Sequence, residues 1–310
     1  MLYFIVNEKS KSGNAKQIWK EIEEVLKVRN VSYQAFVSEY RGHAGKLATE
    51  ICAMDDNDIC LVAVGGDGTA NEVINGITDF EKVRFGVIPT GSGNDLARGL
   101  SLSKDPKNGV IHILNAMKKS REDTWCMDLG EVSLGEKKRL FAISAGIGLD
   151  ALVCKKALKS TIKDILNKIR LGKLTYLVLT VQSLFTMKTA DAEIFFDREE
   201  GLQKKRMIFT AAMNFKAEGG GVPMAPAASA CDGKLSFCEA AGIPKWRTFL
   251  CLPFLVAAKH TSIHGFSVTD AKDCTIRLSR PMVVHADGEY CGEVTEVHFH
   301  CLPGKLRVLK

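Results

Sequence analysis

Continuous apolar runs alternate with helically spaced ones over the first third of the chain. Leu2 to Val6 is an unbroken apolar stretch, and Ile18, Ile22, Val25 and Leu26 follow at the spacing that lines one face of a helix. The alternation continues with an extended run from Val31 to Val37, a helix around Ala44, Leu47, Ala48 and Ile51, and strands at Ile59 to Val64 and Arg84 to Pro89. Strands alternating with helices predict a parallel α/β sheet up to about Lys119. After about Thr124 the texture becomes strand-like with turn signals, at Lys138 to Ser144, Glu193 to Phe196, Arg206 to Met213 and Leu235 to Cys238. Helical stretches at Leu149 to Met187 and Trp246 to His260 interrupt it, and strands resume at Val268, Met282 and Thr295. The expectation is an α/β domain over residues 1–124 followed by a mainly β domain over residues 125–302.

Composition narrows the class. A chain of 310 residues, 46% hydrophobic and 25% charged, suits two globular domains of about 150 residues each. The uncharged stretch from Leu174 to Met187 carries Thr175, Thr180, Gln182, Ser183 and Thr186 and falls short of the roughly 20 apolar residues that span a bilayer. Met1 to Val6 runs directly into Asn7, Glu8 and Lys9 without a basic start or a cleavage site, so a cytoplasmic chain is expected. Ten cysteines without a CxxC pair argue against a zinc ribbon or a disulfide framework and read as reduced thiols. The net charge of +6 favours weak attraction to anionic surfaces, and no nucleic-acid partner is expected. A homodimer is left open.

The strand before Gly65 and the helix after Thr69 place Gly65-Gly66-Asp67-Gly68-Thr69 at a strand-to-helix turn, where α/β sheets bind ligands. Glycines there are expected to take positive φ and let phosphate oxygens approach backbone N–H groups beside a helix N-terminus. Asp67 would repel phosphate unless a cation intervened, which points to Mg²⁺. A bare tight turn is the plain alternative. A second turn, Pro89-Thr90-Gly91-Ser92-Gly93-Asn94-Asp95, ends the next strand and opens onto a helix from Leu96 to Leu100, and two such turns side by side form a nucleotide cleft. There is no Walker A loop and no protein-kinase signature.

The segments GGDGTANEVINGI at 65–77 and IPTGSGNDLAR at 88–98 resemble the diacylglycerol kinase catalytic family, which includes bacterial lipid kinases and sphingosine kinases. The resemblance extends to NEKSKSG at 7–13, GGGVPMAPAASACDGKLSF at 219–237 and ADGE at 286–289, nearly the whole chain. It implies a fold like that of NAD kinase and diacylglycerol kinase, with a sandwich-like second domain and residues 303–310 returning to the first. It implies ATP bound by Asn7, Ser10, Ser12, Gly13, Ser38, Gly65, Gly66, Asp67, Gly68, Thr69, Asn71, Glu72, Gly91, Ser92, Asn94 and Asp95. Glu289 is then the proton acceptor, and Asp287 joins Asp67 and Asp95 in holding the catalytic Mg²⁺. A structural Mg²⁺ is implied on the Asp232 carboxylate with the backbone carbonyls of Ser229 and Lys234. Glu8 stands where the family usually has Pro, and is expected to be countered by Lys9, Lys11 or Lys16; Ser38 and Ser92 stand where it often has Thr.

Read without the resemblance, Asp287-Gly288 is also a common hairpin dipeptide, and so is Asp232-Gly233. His260 and His264 lie four apart without a third ligand, while His298 and His300 on one strand face and the Gly146-Ile147-Gly148 fragment read as structural. Between Lys155 and Lys173 seven basic residues face one acid, Asp164, with Ile162, Ile165, Leu166 and Ile169 at helical spacing. Such a helix lies on an anionic membrane or packs its apolar stripe inward. The expected activity is ATP-dependent phosphorylation of a lipid hydroxyl, diacylglycerol giving phosphatidic acid, as a step of phospholipid biosynthesis at the inner face of the membrane. An NAD kinase and a non-catalytic nucleotide or lipid sensor are the alternatives.

Overall fold

The computed structural model describes residues 1–10, 15–159, 172–197 and 200–310. They form two compact units, Met1–Leu129 with Pro303–Lys310, and Gly130–Leu302. In the first, β1 (Leu2–Val6), β2 (Gln34–Val37), β3 (Ile59–Gly65) and β4 (Val83–Pro89) pair in parallel in the order β2-β1-β3-β4. Every residue of β1, β3 and β4 is buried, as strands covered on both faces by helices must be. α1 (Ala15–Val28) and α5 (Pro106–Ala116) share one core with Phe4, Val62, Val64 and Ile88, to which Trp19, Ile22, Val110 and Ile113 contribute. α2 (His43–Cys52) and α3 (Asp67–Gly76) approach so closely that a Cβ on Gly76 would lie 2.1 Å from the Gly45 carbonyl oxygen. The short α4 (Asp95–Gly99) follows β4. Arg84 and Asp58 form a two-pronged ion pair, and the same guanidinium donates to the carbonyls of Met117 and Lys119.

β5 (Trp125–Leu134) begins in the first unit, and in the second its residues Gly130–Leu134 pair with β6 (Lys137–Phe141), while β7 (Ser144–Gly148) leads into α6 (Leu149–Lys159). There follow α7 (Gly172–Thr186), β8 (Ala190–Phe196), β9 (Leu202–Met207), β10 (Phe209–Met213), β11 (Leu235–Ala240), α8 (Lys245–Val256), β12 (Phe266–Ala271), β13 (Asp273–Ala286) and β14 (Glu289–Val308). Its antiparallel order is β12-β11-β10-β7-β13-β14, with β8 also on β13. Phe196, Phe209, Phe237 and Phe299 fill its core. The chain passes between the units at residues 129–130 and 302–303, and after Pro303 the end of β14 pairs Arg307 and Val308 with Arg84 and Phe85 of β4.

The parallel α/β half followed by a β-rich half agrees with the periodicity. Two helix boundaries shift by three or more residues. The helix expected from Ala70 begins at Asp67, so the motif aspartate belongs to its first turn. His260 sits in a 3-10 turn, His260–Ser262, after α8 has ended at Val256. The basic stretch is described only at its ends, residues 160–171 lying outside the described residues. Among the described residues no helix is long and apolar enough to cross a membrane, and the ten cysteines are free.

Candidate active site

The registers of β3 and β4 bring the two glycine turns together. Gly65 stands opposite Pro89, and the Thr90 N–H donates to the Gly65 carbonyl at 2.8 Å. Beyond that bond the turns touch backbone to backbone: a Cβ added to Gly91 would lie 2.7 Å from the Gly66 Cα, and within the first turn one on Gly65 would lie 2.5 Å from the Thr69 side-chain Cβ. This corrects the reason expected for the glycines. Gly65, Gly66, Gly68, Gly91 and Gly93 do not adopt positive φ, Gly66 having φ −90°. What Gly66 and Gly91 supply is room for two turns to pack without side chains, and the positive φ falls on Asn94, at 53°.

Asp67 ties the turns. Its carboxylate accepts the backbone N–H of Asp95 at 3.0 Å and of Leu96 at 3.1 Å, two of the donors that α4 leaves unpaired at its start. The Asn94 side chain accepts from the Gly91 N–H and donates to the Gly91 carbonyl, both at 2.9 Å, so it braces the turn rather than reaching outward. Asp95 is buried and paired with Arg98, which also holds the Gly93 carbonyl. Asn7 donates to the Thr69 hydroxyl at 3.0 Å, and Ser10 shares a hydrogen bond with Thr90. Glu72 accepts the Gly42 N–H at 2.8 Å, which spends it on the loop before α2; Asn71 is buried within α3. Ser38 is buried where β2 ends, its N–H on the Val6 carbonyl, and Ser92 is exposed. Ser12 and Gly13 lie outside the described residues. Lys9 donates to the Glu39 carbonyl at 2.6 Å.

In the second unit Asp287 and Gly288 have φ of 47° and 81° between the paired residues Ala286 and Glu289. That is a two-residue hairpin with both central residues left-handed, the geometry Asp-Gly favours. The Asp287 carboxylate accepts three backbone N–H groups, from Ala142 and Ile143 at 2.8 Å and Ser144 at 3.1 Å. It anchors the hairpin to the bend before β7, and Glu289, half-buried, stands at the first residue of β14.

Behind the hairpin lies a group that motif reading missed. Fully buried His285, in its neutral form, accepts the Gly288 N–H on Nδ1 at 3.2 Å, with its proton on Nε2 donated to Asp150 at 3.1 Å. Glu218, bonded to the Ser144 hydroxyl, completes the cluster. Burial opposes charging the ring, but the Asp150 hydrogen bond and the charges of Asp150, Glu218 and Asp287 outweigh it and raise the His285 pKa above its ordinary value. A Cβ at Gly146 would lie 1.7 Å from the Asp150 carboxylate, so the Gly146-Ile147-Gly148 fragment makes room for this pair. A histidine two residues before the Asp-Gly turn, in an apolar strand, was the signal available.

Oxygen donors suited to Mg²⁺ surround Gly93, where a Cβ would lie 3.1 Å from an Asp67 oxygen and 3.7 Å from an Asp95 oxygen. The Asp232 carboxylate accepts the Lys234 N–H at 3.1 Å in a turn with Gly233 at φ 76°, while Ser229 meets Cys231. His260 is buried against the Met224 carbonyl and Cys238, far in character from the exposed His264.

Two glycine turns packed backbone to backbone beside the Asp67 and Asp95 carboxylates, on a parallel sheet followed by a β-rich unit, define a class. Residues 1–132 match the model of the diacylglycerol kinase catalytic domain, and residues 144–310 match that of the YegS C-terminal NAD kinase beta sandwich-like domain. The chain belongs to the diacylglycerol kinase catalytic family, and it is an enzyme of the kinase class. Among its relatives, YtlR of Bacillus subtilis (strain 168) is 30% identical over 311 residues, covering 99% of this chain and 98% of that one. A diacylglycerol kinase of the same organism is 27% identical, covering 81% and 76%. Two solved structures share the fold: a diacylglycerol kinase from Bacillus anthracis str. Sterne (TM-score 0.71, 17% identity, 99% and 96% covered) and an NAD kinase from Archaeoglobus fulgidus in complex with ATP (TM-score 0.56, 14% identity, 100% and 94% covered).

Proposed function

We propose that the enzyme transfers the γ-phosphate of ATP to a lipid hydroxyl, with diacylglycerol as acceptor and phosphatidic acid as product. The observation that carries this reading is the backbone contact of the Gly66 and Gly91 turns, held by Asp67, in a chain of this family. Phosphoryl transfer asks the protein chiefly for alignment and charge. The acceptor oxygen bonds to the γ-phosphorus as the bond to the β,γ-bridging oxygen breaks and ADP leaves. The hydroxyl proton passes to the Glu289 carboxylate, and Asp287 acts by fixing the hairpin that presents it. Mg²⁺, when bound, neutralises phosphate charge; Asp67 and Asp95 would hold it, and the Asp232 turn would take a structural ion with the Ser229 and Lys234 carbonyls.

The test is transfer of labelled γ-phosphate to diacylglycerol, to a total lipid extract and to NAD. Glu289→Gln and Asp67→Asn are each expected to lower the rate on diacylglycerol by roughly 10² to 10⁴. Equal rates in wild type and both variants, or faster labelling of NAD, would end the assignment.

Contact with a membrane belongs to the same reading. Eight of the fourteen large apolar side chains exposed among the described residues lie on α7 and α8: Leu177, Val178, Phe185, Trp246, Phe249, Leu250, Phe254 and Val256. Residues 172–186 and 245–256 carry Lys173, Lys245 and Arg247 and no acid, so an anionic bilayer matches both the apolar and the cationic character.

A further inference from the structure

We propose that Asp273, His298 and His300 form a binding site for a late first-row divalent cation, Zn²⁺ foremost, apart from any Mg²⁺ of the kinase reaction. The antiparallel register sets Asp273 opposite His300 and Thr275 opposite His298. Strand side chains alternate, so His298 and His300 project from one face of β14 and meet Asp273 from the neighbouring strand. His300 Nδ1 lies 2.7 Å, and His298 Nε2 3.4 Å, from the same Asp273 oxygen, and one ligand atom from each residue lies within 4.8 Å of the others. A tetrahedral Zn²⁺ with bonds near 2.0 to 2.2 Å needs ligand atoms about 3.3 Å apart, a change that side-chain rotation alone supplies.

Two further contacts preset the ligands. The Thr275 hydroxyl lies 3.0 Å from His298 Nδ1, which leaves Nε2 for the cation, the arrangement that orients metal-bound imidazoles. Asp197 accepts the N–H groups of Lys272 and Asp273, fixing the backbone that carries the carboxylate. The side chains of His298, Asp273 and His300 are 41%, 37% and 30% exposed, so an ion enters from solvent and keeps water in its fourth position.

The competing explanation is a ladder of cross-strand polar pairs, and Arg277 with Glu296 on the same strands is one. Those two carry opposite fixed charges. Two imidazoles on one carboxylate do not, and a cation satisfies all three together. Nitrogen-rich donors with one carboxylate bind Zn²⁺ and its neighbours far more tightly than Mg²⁺.

The full chain, stripped with chelator, is titrated with Zn²⁺ and with Mg²⁺ by calorimetry, and with Co²⁺ followed by absorbance. One Zn²⁺ is expected per chain, with no Mg²⁺ heat from this site and a Co²⁺ spectrum lacking thiolate charge-transfer bands. His298→Ala and Asp273→Asn should each weaken Zn²⁺ by at least about 10-fold, in the range seen when groups that orient a metal are lost. His264→Ala, outside the cluster, should leave it unchanged. Asp273→Asn preserves the side chain's shape, so loss of binding with an unchanged circular dichroism spectrum is not a folding defect. Absence of Zn²⁺ binding, affinity unchanged in both cluster variants, or thiolate bands arising from exposed Cys126 or Cys231 would each overturn the proposal.

Discussion

Gly91 is the residue whose side chain, or lack of one, the first unit depends on most visibly. Gly91→Ala puts a Cβ against the Gly66 backbone and must force the turns apart. With misplacements of about 1 Å costing on the order of 10² in rate, kcat/KM for ATP-dependent transfer should fall at least that far while circular dichroism stays native. Asp67→Asn leaves one of the Asp95 and Leu96 N–H groups facing an amide NH₂, a cost of about 1–3 kcal/mol readable by urea unfolding in addition to the lost activity. His285 carries a pH prediction. Its folded pKa is raised, so its contribution to stability is complete below about pH 6.5, the unfolded value, and is lost as pH climbs through the folded value. The second unit should therefore melt at higher temperature at pH 6 than at pH 8 by an increment that His285→Gln abolishes. A pH dependence unchanged in the variant would show that the ring does not report this transition.

Among the elements, α8 is inside out. Thr248 and Cys251 are buried and Leu252 and Leu255 half-buried, whereas Trp246, Phe249, Leu250, Phe254 and Val256 face outward. The Thr248 hydroxyl tolerates burial because it donates to the Pro244 carbonyl, and Phe249 meets Phe185 of α7 with ring centroids 6.1 Å apart. Apolar residues at helical spacing normally mark the core face, so the sequence pattern alone gives the wrong side. Replacing Trp246 and Phe249 together by Ser should leave the melting temperature within about a degree or two, as for surface changes generally, and reduce co-sedimentation with phosphatidylglycerol vesicles by 10-fold or more. Undiminished vesicle binding refutes the membrane role, and a concentration-dependent dimer lost in the same variant would assign the face to a second copy. Packing between α2 and α3 is the opposite case: Gly76→Ala drives a Cβ into the Gly45 carbonyl and should cost about 1–3 kcal/mol by denaturant unfolding.

For the molecule as a whole, the first unit is closed by residues that come last in the chain. Leu306, Val308 and Leu309 are buried there, and at about 1.5–3 kcal/mol each they represent a large part of a domain's net stability. Removing residues 303–310 should abolish cooperative unfolding of the first unit, observed as loss of the Trp19 fluorescence transition. Much of this architecture is legible from local pattern. The period of apolar residues located β1, β3 and β4 and the turns that end them, because strand and helix periods are properties of neighbouring residues. The Asp287-Gly288 hairpin was equally readable, since its left-handed pair is a local preference. What the tertiary structure decided are relations between distant residues: Gly66 packed on Gly91, Asp67 capping a helix 28 residues on, His285 held by Asp150, and Asp273 set against His298 and His300. These follow from strand register, and register is chosen by the burial of whole faces, a sum over the chain that no single motif contains.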